Sequence, residues 1–259
     1  MRILLNLEAT KDCDYDLKYF HKLQGFIYNL LRGSEYSGLH DKKGYKFFCF
    51  SNIFPIGDIK SGEKRNLLIS SPDRFFIKFL EERLKELKEA EGTINIGEMS
   101  FKIKEISTIS LKLKKGCILV SSTPIVIRIP EKNYEKYGIP KKFRKKRYVY
   151  WRPQYSFEAF VKQLEENLIK KYNEFYKTNL EIERIFEIFK FVKSVVNHVV
   201  IHGVERMLVG SIWEFCFTYL TKEQKKILEF GIDCGFGERN SLGFGFINTI
   251  NPELKKQKI

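Results

Sequence analysis

The order in which strand-like and helix-like segments follow one another constrains the fold most, because the same order occurs twice along the chain. The first half contains a strand at 2–8, a helix at 15–31, strands at 45–54 and 66–70, a helix at 73–90 and a strand at 100–110. Alternating or β-branched and aromatic runs indicate the strands. Apolar residues at helical spacing indicate the helices, as with Leu17, Phe20, Leu23, Ile27 and Leu30 in the first. This half therefore has the order βαββαβ.

The second half repeats this order with different residues. Strands are predicted at 117–129, 182–194, 198–215 and 243–250, and helices at 156–175 and 221–230. The spacing within 182–194 also suits a helix, but its β-branched and aromatic content favours a strand, and Gly203 indicates a turn in the next segment. Two consecutive βαββαβ units predict an α+β protein with two tandem ferredoxin-like, RRM-like domains at 1–115 and 116–259. The break is expected near Lys114-Lys115-Gly116.

Local signals predict where several helices begin and end. Gly33 is well placed to stop the first helix, and Ser71-Pro72 indicates an N-cap followed by proline at the first helical position. Thr221 and Gln224 have the spacing of a capping box, and Gly231 is expected to close the helix that begins there.

A glycine-rich stretch near the C-terminus, GFGERNSLGFGF at 235–246, suggests close contact between backbone and phosphate. It is not a cofactor loop, because a dinucleotide fingerprint would need glycine at Asn240 and a helix after it, and a P-loop would need GxxxxGK[ST]. We therefore predict no nucleotide cofactor.

The same stretch lies between the last helix and the last strand, where a long polyanion crossing the sheet would meet it. Its candidate RNA contacts are Gly235, Gly237, Arg239, Asn240, Ser241, Gly243 and Gly245. A tight turn needed only for packing is the alternative explanation of the glycines.

The charge balance favours an anionic partner. The formal net charge of the 259 residues is +14 and the pI is about 9.4, which suits nucleic acid, although a basic protein with solvated lysines fits the charge equally well. No apolar run is long enough to span a bilayer, and the first residues turn polar after one strand length, unlike a signal peptide. The five cysteines are far apart with no CxxC pair, which argues against disulfides or zinc. We expect a cytoplasmic protein.

The glycine-rich stretch resembles the C-terminal signature of the CRISPR-associated endoribonucleases that cut precursor crRNA within its repeats. HKLQGFIYNLL at 21–31 and LHDKKGYKFFCFS at 39–51 are similar to that family's first helix and to the loop and strand after it. SSTPIVI at 121–127 is similar to the strand that opens its second domain. The resemblance implies an endoribonuclease whose substrate is CRISPR repeat RNA.

The resemblance also implies a reaction and its residues. Members of this type are similar to ribonucleases that need no metal, in which the 2′-OH attacks the adjacent phosphorus and leaves a 2′,3′-cyclic phosphate and a 5′-OH. The family's catalytic Tyr, His and Lys fall on Tyr28, His40 and Lys46. His40 would transfer a proton, Tyr28 would position or share a proton with the 2′-OH, and Lys46 would stabilise the transition state. Which of Tyr28 and His40 is the base stays open.

Further basic residues are predicted to contact RNA. The segment 141–153 has six of them in its first seven positions: Lys141, Lys142, Arg144, Lys145, Lys146 and Arg147. Whether the aromatic residues that follow, including Trp151, stack on bases or pack in the core stays open. Lys42, Lys43 and Arg65 are further candidates near the predicted catalytic loop.

Metal sites are not predicted. His198 and His202 are four residues apart, but the HExxH glutamate is missing and β-branched residues between them favour a strand with structural histidines. Asp and Glu residues form no compact cluster for magnesium in the sequence.

Other functions explain less of the sequence. A non-cutting subunit that binds repeat RNA within a CRISPR ribonucleoprotein complex would be expected to lack His40. An RNA-modifying enzyme would need a cofactor motif or metal cluster, and a general RNA chaperone would not explain Tyr28, His40 and Lys46 together. We therefore predict a metal-independent endoribonuclease acting on precursor crRNA, with a CRISPR effector complex as a further candidate partner. The repeat sequence, hairpin or single-strand binding, and monomer or homodimer state stay open.

Overall fold

The structure, a computed structural model, describes residues 1–15, 19–114, 116–201 and 203–250. Leu17 in the first predicted helix, Lys115 at the predicted boundary and His202 of the histidine pair lie outside these ranges. No helix within the described ranges has the length and apolarity needed to cross a membrane.

The N-terminal unit is a five-stranded antiparallel sheet packed against two helices. Its elements are β1 (Arg2–Ala9), α1 (Phe20–Leu30), β2 (Cys49–Phe50), β3 (Lys64–Ser70), α2 (Arg74–Glu89), β4 (Thr93–Ile96) and β5 (Met99–Ile109). The strand order in the sheet is β2-β3-β1-β5-β4. Alternate residues of β1, namely Ile3, Leu5 and Leu7, are buried in one core with apolar residues of both helices, as the two-residue period of a strand requires.

The C-terminal unit is a four-stranded antiparallel sheet with two helices and an added hairpin. Its elements are β6 (Ile118–Ser121), β7 (Arg128–Pro130), β8 (Tyr148–Tyr150), α3 (Phe157–Tyr176), β9 (Ile188–Ile201), β10 (Val204–Cys216), α4 (Lys222–Cys234) and β11 (Ile247–Ile250). The sheet order is β11-β6-β10-β9, while β7 and β8 pair separately. Trp213 of β10 stacks on Phe160 of α3 with ring centroids 4.1 Å apart, at the centre of this core.

In both units the first and third strands of the βαββαβ order lie side by side at the centre, β1 with β3 and β6 with β10. This confirms the predicted α+β fold of two tandem ferredoxin-like units. The exact boundary at residue 115 stays a prediction. The strand predicted within 182–194 is confirmed as the start of β9, and Gly203, at φ +73°, lies in the turn between β9 and β10. The short strands β4, β7 and β8 had no separate sequence signal.

The predicted N-cap of α2 is wrong by two residues. Asp73, not Ser71, caps the helix, because its carboxylate accepts hydrogen bonds from the N–H groups of Phe75 and Phe76 at 2.9 and 3.1 Å. Ser71 instead donates its hydroxyl proton to the carbonyl of Phe47 at 2.7 Å. The Ser71 oxygen also accepts a hydrogen bond from the Asp73 N–H at 3.1 Å, so Ser71 supports the residue that caps the helix.

The predicted end of α4 is also wrong. The helix passes through Gly231 and ends at Cys234, with Gly235 as its C-cap. Gly231 lies where a Cβ would be 2.7 Å from the ring of Phe236, so it permits close packing inside the helix. The capping box at the other end is confirmed, because Thr221 and Gln224 exchange both hydrogen bonds.

Removing the α2 cap is expected to lower the free energy of unfolding by about 1 kcal/mol. Asp73→Ala leaves two N–H groups of the first turn without their acceptor, whereas Asp73→Ser keeps an oxygen that can cap. Thermal unfolding of the two variants beside the wild type measures the difference. Equal losses in both variants would show that Asp73 stabilises the fold in another way.

The two units share a buried interface around the first and last strands. The guanidinium of Arg2 is fully buried and donates to Asn248 Oδ1 at 2.7 Å and to the carbonyls of Ile232 and Ile247. The N-terminal ammonium donates to Asp233 Oδ2 at 2.5 Å. Burial lowers the pKa of Arg2 to about 10, with the Asp233 carboxylate acting in the opposite direction. These contacts tie β1 to β11 and fix how the two units face each other.

Candidate active site between the two units

A cavity of about 700 Å³ lies where the N-terminal unit meets the glycine-rich loop of the C-terminal unit. Most of its wall comes from the end of α1, the segment from His40 to Phe48 and residues 237–242, and Arg128, Lys171, Val200 and Cys234 complete it. The predicted catalytic residues and the predicted RNA-contacting loop therefore lie in one pocket, although about 200 residues separate them in the sequence.

Tyr28, His40 and Lys46 form a connected group in this pocket. The ammonium of Lys46 donates to the Tyr28 hydroxyl at 2.8 Å and to the backbone carbonyl of His40 at 2.7 Å. The rings of Tyr28 and His40 meet edge to face with centroids 5.0 Å apart. Lys46 thus links the side chain of Tyr28 to the backbone that carries His40.

The imidazole of His40 is held from one side and open on the other. Its Nδ1 is 2.7 Å from Oδ1 of Asp41. An ionised carboxylate can only accept a hydrogen bond, so Nδ1 is the donor and Nε2 keeps its lone pair when the ring is neutral. The side chain is 65% exposed, which leaves Nε2 accessible to a substrate.

Burial shifts the pKa values of Tyr28 and Lys46 in opposite directions. It raises the pKa of Tyr28 to about 12, with hydrogen bonds involving Ser241 and Gln24 acting in the opposite direction. It lowers the pKa of Lys46, while the nearby Asp41 carboxylate acts to raise it. At neutral pH the phenol therefore keeps its proton, and the lysine is a partly desolvated cation that is a stronger electrostatic partner than one in water.

The loop that carries His40 is anchored on both sides. Tyr36 packs on Phe76 and Phe79 of α2, with ring centroids 5.2 and 5.5 Å away. Phe47 has a left-handed φ of 52° and packs its ring on Phe175 of α3. These aromatic contacts hold an otherwise polar loop in one place, as a preorganised site needs.

The glycines of the 235–246 stretch allow close packing, and three of their four N–H groups are engaged within the protein. The N–H groups of Gly235, Gly243 and Gly245 are already bonded to carbonyls of Gly231, Asn240 and Pro124. All four glycines have positive φ. A Cβ on Gly243 would lie 2.4 Å from the ring of Phe50, and one on Gly237 would lie 2.6 Å from a backbone carbonyl. A tight turn for packing, the alternative explanation, fits these contacts, and RNA contact by the glycines stays a prediction.

Lys171 and Asn240 hold the glycine-rich loop in place, a role that the sequence analysis predicted for neither residue. Lys171 of α3 is fully buried and donates to the Gly235 carbonyl at 2.7 Å and to Asn240 Oδ1 at 2.8 Å. Asn240 in turn donates to the carbonyls of Phe236 and Phe244. Asn240 is thus a clamp inside the loop. The sequence contains one sign of this role. Lys171 lies three residues after the buried Leu168, so helical spacing places it at an apolar position of α3.

The remaining predicted RNA contacts fall into three groups. Exposed residues of the catalytic pocket are Lys42, Lys43 and Arg239, with Ser241 partly exposed beside them. Exposed residues outside it are Lys141, Lys142, Lys145, Lys146 and Arg147. Arg65 and Arg144 are already engaged: Arg65 is nearly buried and bonds the Asp58 carbonyl and Glu63, and Arg144 bonds the Ile139 carbonyl and Glu135. RNA contact by the residues of all three groups stays a prediction.

Gln24 is a pocket residue that helical spacing could have revealed. It lies one turn before Tyr28 on α1 and donates to the Ser241 carbonyl at 2.7 Å. This bond joins the helix that carries Tyr28 to the glycine-rich loop. It is one reason why the two parts of the pocket stay together.

Trp151 and His198 lie outside the pocket. Trp151 is buried against Trp213 and Phe160, so its ring is not available to a base. His198 is on β9, and its Nδ1 is 3.3 Å from Glu205 of β10. Within the described ranges, no three His, Cys, Asp or Glu side chains come together as a metal site would require.

Comparison with known proteins identifies similar sequences and folds. The family described as CRISPR associated protein Cas6, C-terminal, matches residues 110–249. CRISPR-associated endoribonuclease Cas6 2 of Methanocaldococcus jannaschii is 34% identical over 96% of this chain and 100% of its own length. CRISPR-associated endoribonuclease Cas6 of Haloferax mediterranei is 31% identical over 96% of this chain and 94% of its own length.

Solved structures share the fold across both units. One described as CRISPR associated protein Cas6 has a TM-score of 0.69 at 24% identity and covers 97% of this chain and 99% of its own. Another, described as an RAMP protein binding different RNA substrates, has a TM-score of 0.71 at 21% identity and covers 97% of this chain and 100% of its own.

Proposed function

The chain belongs to the Cas6 family of CRISPR-associated proteins, and from this premise we propose that it is a metal-independent endoribonuclease that cuts CRISPR repeat RNA in precursor crRNA. The observation that carries the proposal is the linked group of Tyr28, His40 and Lys46 in a pocket that also holds Arg239. Relatives named endoribonucleases match over nearly the whole chain.

His40 is the group we assign to the first proton transfer. Its Nδ1–H is held by Asp41, so Nε2 is the nitrogen that takes the proton of the 2′-OH as this oxygen attacks the adjacent phosphorus. A positioned histidine contributes about 10²–10⁴-fold to such a step. The attack forms the bond between the 2′ oxygen and phosphorus and leads to the 2′,3′-cyclic phosphate.

We assign Tyr28 and Lys46 to the departure of the 5′ oxygen and to stabilisation of the charge that develops. The phenol keeps its proton at neutral pH, because its pKa is about 12, so it acts as a donor and not as the base. It gives its proton to the leaving 5′ oxygen as the bond from phosphorus to that oxygen breaks. The Lys46 ammonium, 2.8 Å from the phenol oxygen, stabilises the phenolate and the phosphorane charge.

Basic residues around the pocket hold the RNA backbone. Arg239, Lys42 and Lys43 are exposed at its edge, and each can neutralise a phosphate. The exposed cations of the segment 141–147 extend the positive surface. The expected partner is repeat RNA, alone or within precursor crRNA.

The test is cleavage of the host's repeat RNA by the purified protein in excess EDTA, followed by analysis of the product ends. We expect a single cut that leaves a 2′,3′-cyclic phosphate and a 5′-OH. A repeat RNA with 2′-deoxyribose at the nucleotide upstream of the mapped cut is the matched control, because it lacks the nucleophile but keeps the base and phosphates.

Each other outcome contradicts a defined part of the proposal. A cut that needs a divalent ion, or one that leaves a 3′-OH and a 5′-phosphate, would contradict the mechanism. Cleavage of the 2′-deoxy RNA at the same site would do so too. Tight binding without any cut would identify a non-cutting repeat-RNA-binding subunit of a CRISPR ribonucleoprotein complex.

A further inference from the structure

A second cavity, of about 360 Å³, adjoins the catalytic pocket between the β7–β8 hairpin and α3. Tyr45, Arg128 and Glu238 line both cavities, so the two cavities lie side by side. The volume is at the lower end of the range of about 300–1,000 Å³ for small-molecule sites. It suits one unstacked base and is too small for a duplex.

Two amide side chains on α3 line this cavity, and each has one buried polar atom without a hydrogen-bond partner among the described residues. Gln163 and Asn167 are one helical turn apart. Gln163 Nε2 and Asn167 Oδ1 are both buried, yet neither has a hydrogen-bond partner among the described residues. Buried polar atoms are nearly always paired, and an unpaired one costs free energy that a ligand's donor or acceptor would recover. The pair offers amide donors and acceptors beside a cavity of base size.

Other lining residues of the cavity are of the types that contact the base ring and the phosphate of a nucleotide. Tyr45 and Tyr148 are among its lining residues, and base stacking on aromatic side chains is the usual means of holding unpaired bases. Arg147, also a lining residue, is exposed and forms no ion pair with any described residue, so it can meet a phosphate.

The carboxylates at this site are neutralised by neighbouring cations. Glu238 pairs with Arg128, whose guanidinium lies 4.6 Å from the centre of the Tyr148 ring. Glu166 lies 3.8 Å from the ammonium of Lys170. The cavity therefore does not repel a polyanion, in spite of two acidic residues in its wall.

We propose that this cavity is a base-reading subsite, in which the amides of Gln163 and Asn167 recognise the edge of one unpaired RNA base near the scissile phosphate. The proposal rests on the proposed function, because it takes the RNA cut in the adjoining pocket as its ligand. It makes Gln163 and Asn167 specificity-determining residues. The amide groups of Asn and Gln can bond a base edge through two atoms at once.

The test compares the wild type with the double variant Gln163→Met, Asn167→Leu on repeat RNAs in which every nucleotide flanking the cut is changed to each other base. The substitutions keep the approximate size of the side chains and remove only their polar groups. We expect the wild type to prefer one base at one position by roughly 5- to 150-fold in kcat/KM and in binding. The double variant should lose this preference and cleave the different RNAs at similar rates.

Two controls separate base reading from a structural effect. The melting temperature of the double variant should stay the same or rise, because apolar groups replace unpaired buried polar ones. Asn179→Leu removes an exposed amide after α3 that lines neither cavity, and it should leave the base preference intact.

The outcomes distinguish this proposal from the proposed function. If the wild type binds and cuts repeat RNA but shows no base preference near the cut, or if the double variant keeps the preference, the base-reading subsite is wrong and the nuclease assignment stands. If the wild type does not bind repeat RNA, both proposals are wrong. Binding without cutting leaves base preference measurable from affinity alone, so the subsite is tested even if the chemistry is not as proposed.

Discussion

Replacing His40 with alanine is expected to slow cleavage of repeat RNA by about 10²–10⁴-fold, with little change in RNA binding. The reason is that His40 provides the only imidazole that lines the catalytic pocket within the described ranges. Its exposed ring contributes little to packing, so its removal should leave the fold and the surrounding cations in place. Single-turnover cleavage rates and equilibrium binding, measured with the same RNA, separate the two effects.

His198→Ala is the matched control for this result. His198 is also exposed and also pairs with a carboxylate, but it lines a different cavity and not the catalytic pocket, so its loss should leave the cleavage rate near that of the wild type.

Free imidazole provides a second check. Because the His40 side chain is 65% exposed, the space left by His40→Ala is open to solvent, and added imidazole should restore part of the rate. An unchanged rate in His40→Ala would remove this residue from the mechanism. A loss of binding equal to the loss of rate would make it an RNA contact instead.

Replacing Gly245 with alanine is expected to lower the free energy of unfolding by about 3–5 kcal/mol, the sum of backbone strain and overpacking. Gly245 has a φ of +72°, and a Cβ at this position would lie 1.9 Å from the carbonyl oxygen of Phe236. That oxygen belongs to the backbone and also accepts a hydrogen bond from Asn240, so it cannot move without disturbing the loop. Urea unfolding measures the loss.

The same change should also weaken RNA cleavage in the molecules that remain folded. The glycine-rich loop carries Arg239 and Ser241 into the pocket, and the clamp by Asn240 depends on the backbone path that Gly245 allows. Gly25→Ala is the control. Gly25 is helical, and a Cβ added there would have no neighbouring atom within 4 Å, so its replacement should stabilise the protein by about 1 kcal/mol. A Gly245→Ala variant as stable as the wild type would contradict the close packing of this loop.

Part of this protein follows from local patterns in its sequence. The repeated βαββαβ order, the strand at the start of β9 and the capping box at Thr221 depend on side chains within a few residues of one another. Such interactions are the ones that periodicity and capping rules describe. The local signal for the N-cap of α2 was wrong. The hydroxyl of Ser71 donates to the distant carbonyl of Phe47, and Asp73 caps the helix.

The composition of the glycine-rich stretch does not predict whether its glycines bind phosphate or permit close packing. Four glycines suit either a loop that meets phosphate or a loop packed against the rest of the protein, since both need positive φ or a missing Cβ. Its close packing depends on contacts with Phe50, Val126 and Pro124, which are far away in the chain. RNA contact by its glycines stays a prediction.

The sequence by itself thus determined the two ferredoxin-like units, and its resemblance to a known family pointed to Tyr28, His40 and Lys46. Only the tertiary structure decided that Arg239 and Ser241 share their pocket, that Lys171 holds the loop, and that Gln163 and Asn167 line a second cavity beside it. The physical reason is that secondary structure is set by neighbours in sequence, whereas a pocket between two units is set by how their buried surfaces fit, and that fit has no local pattern.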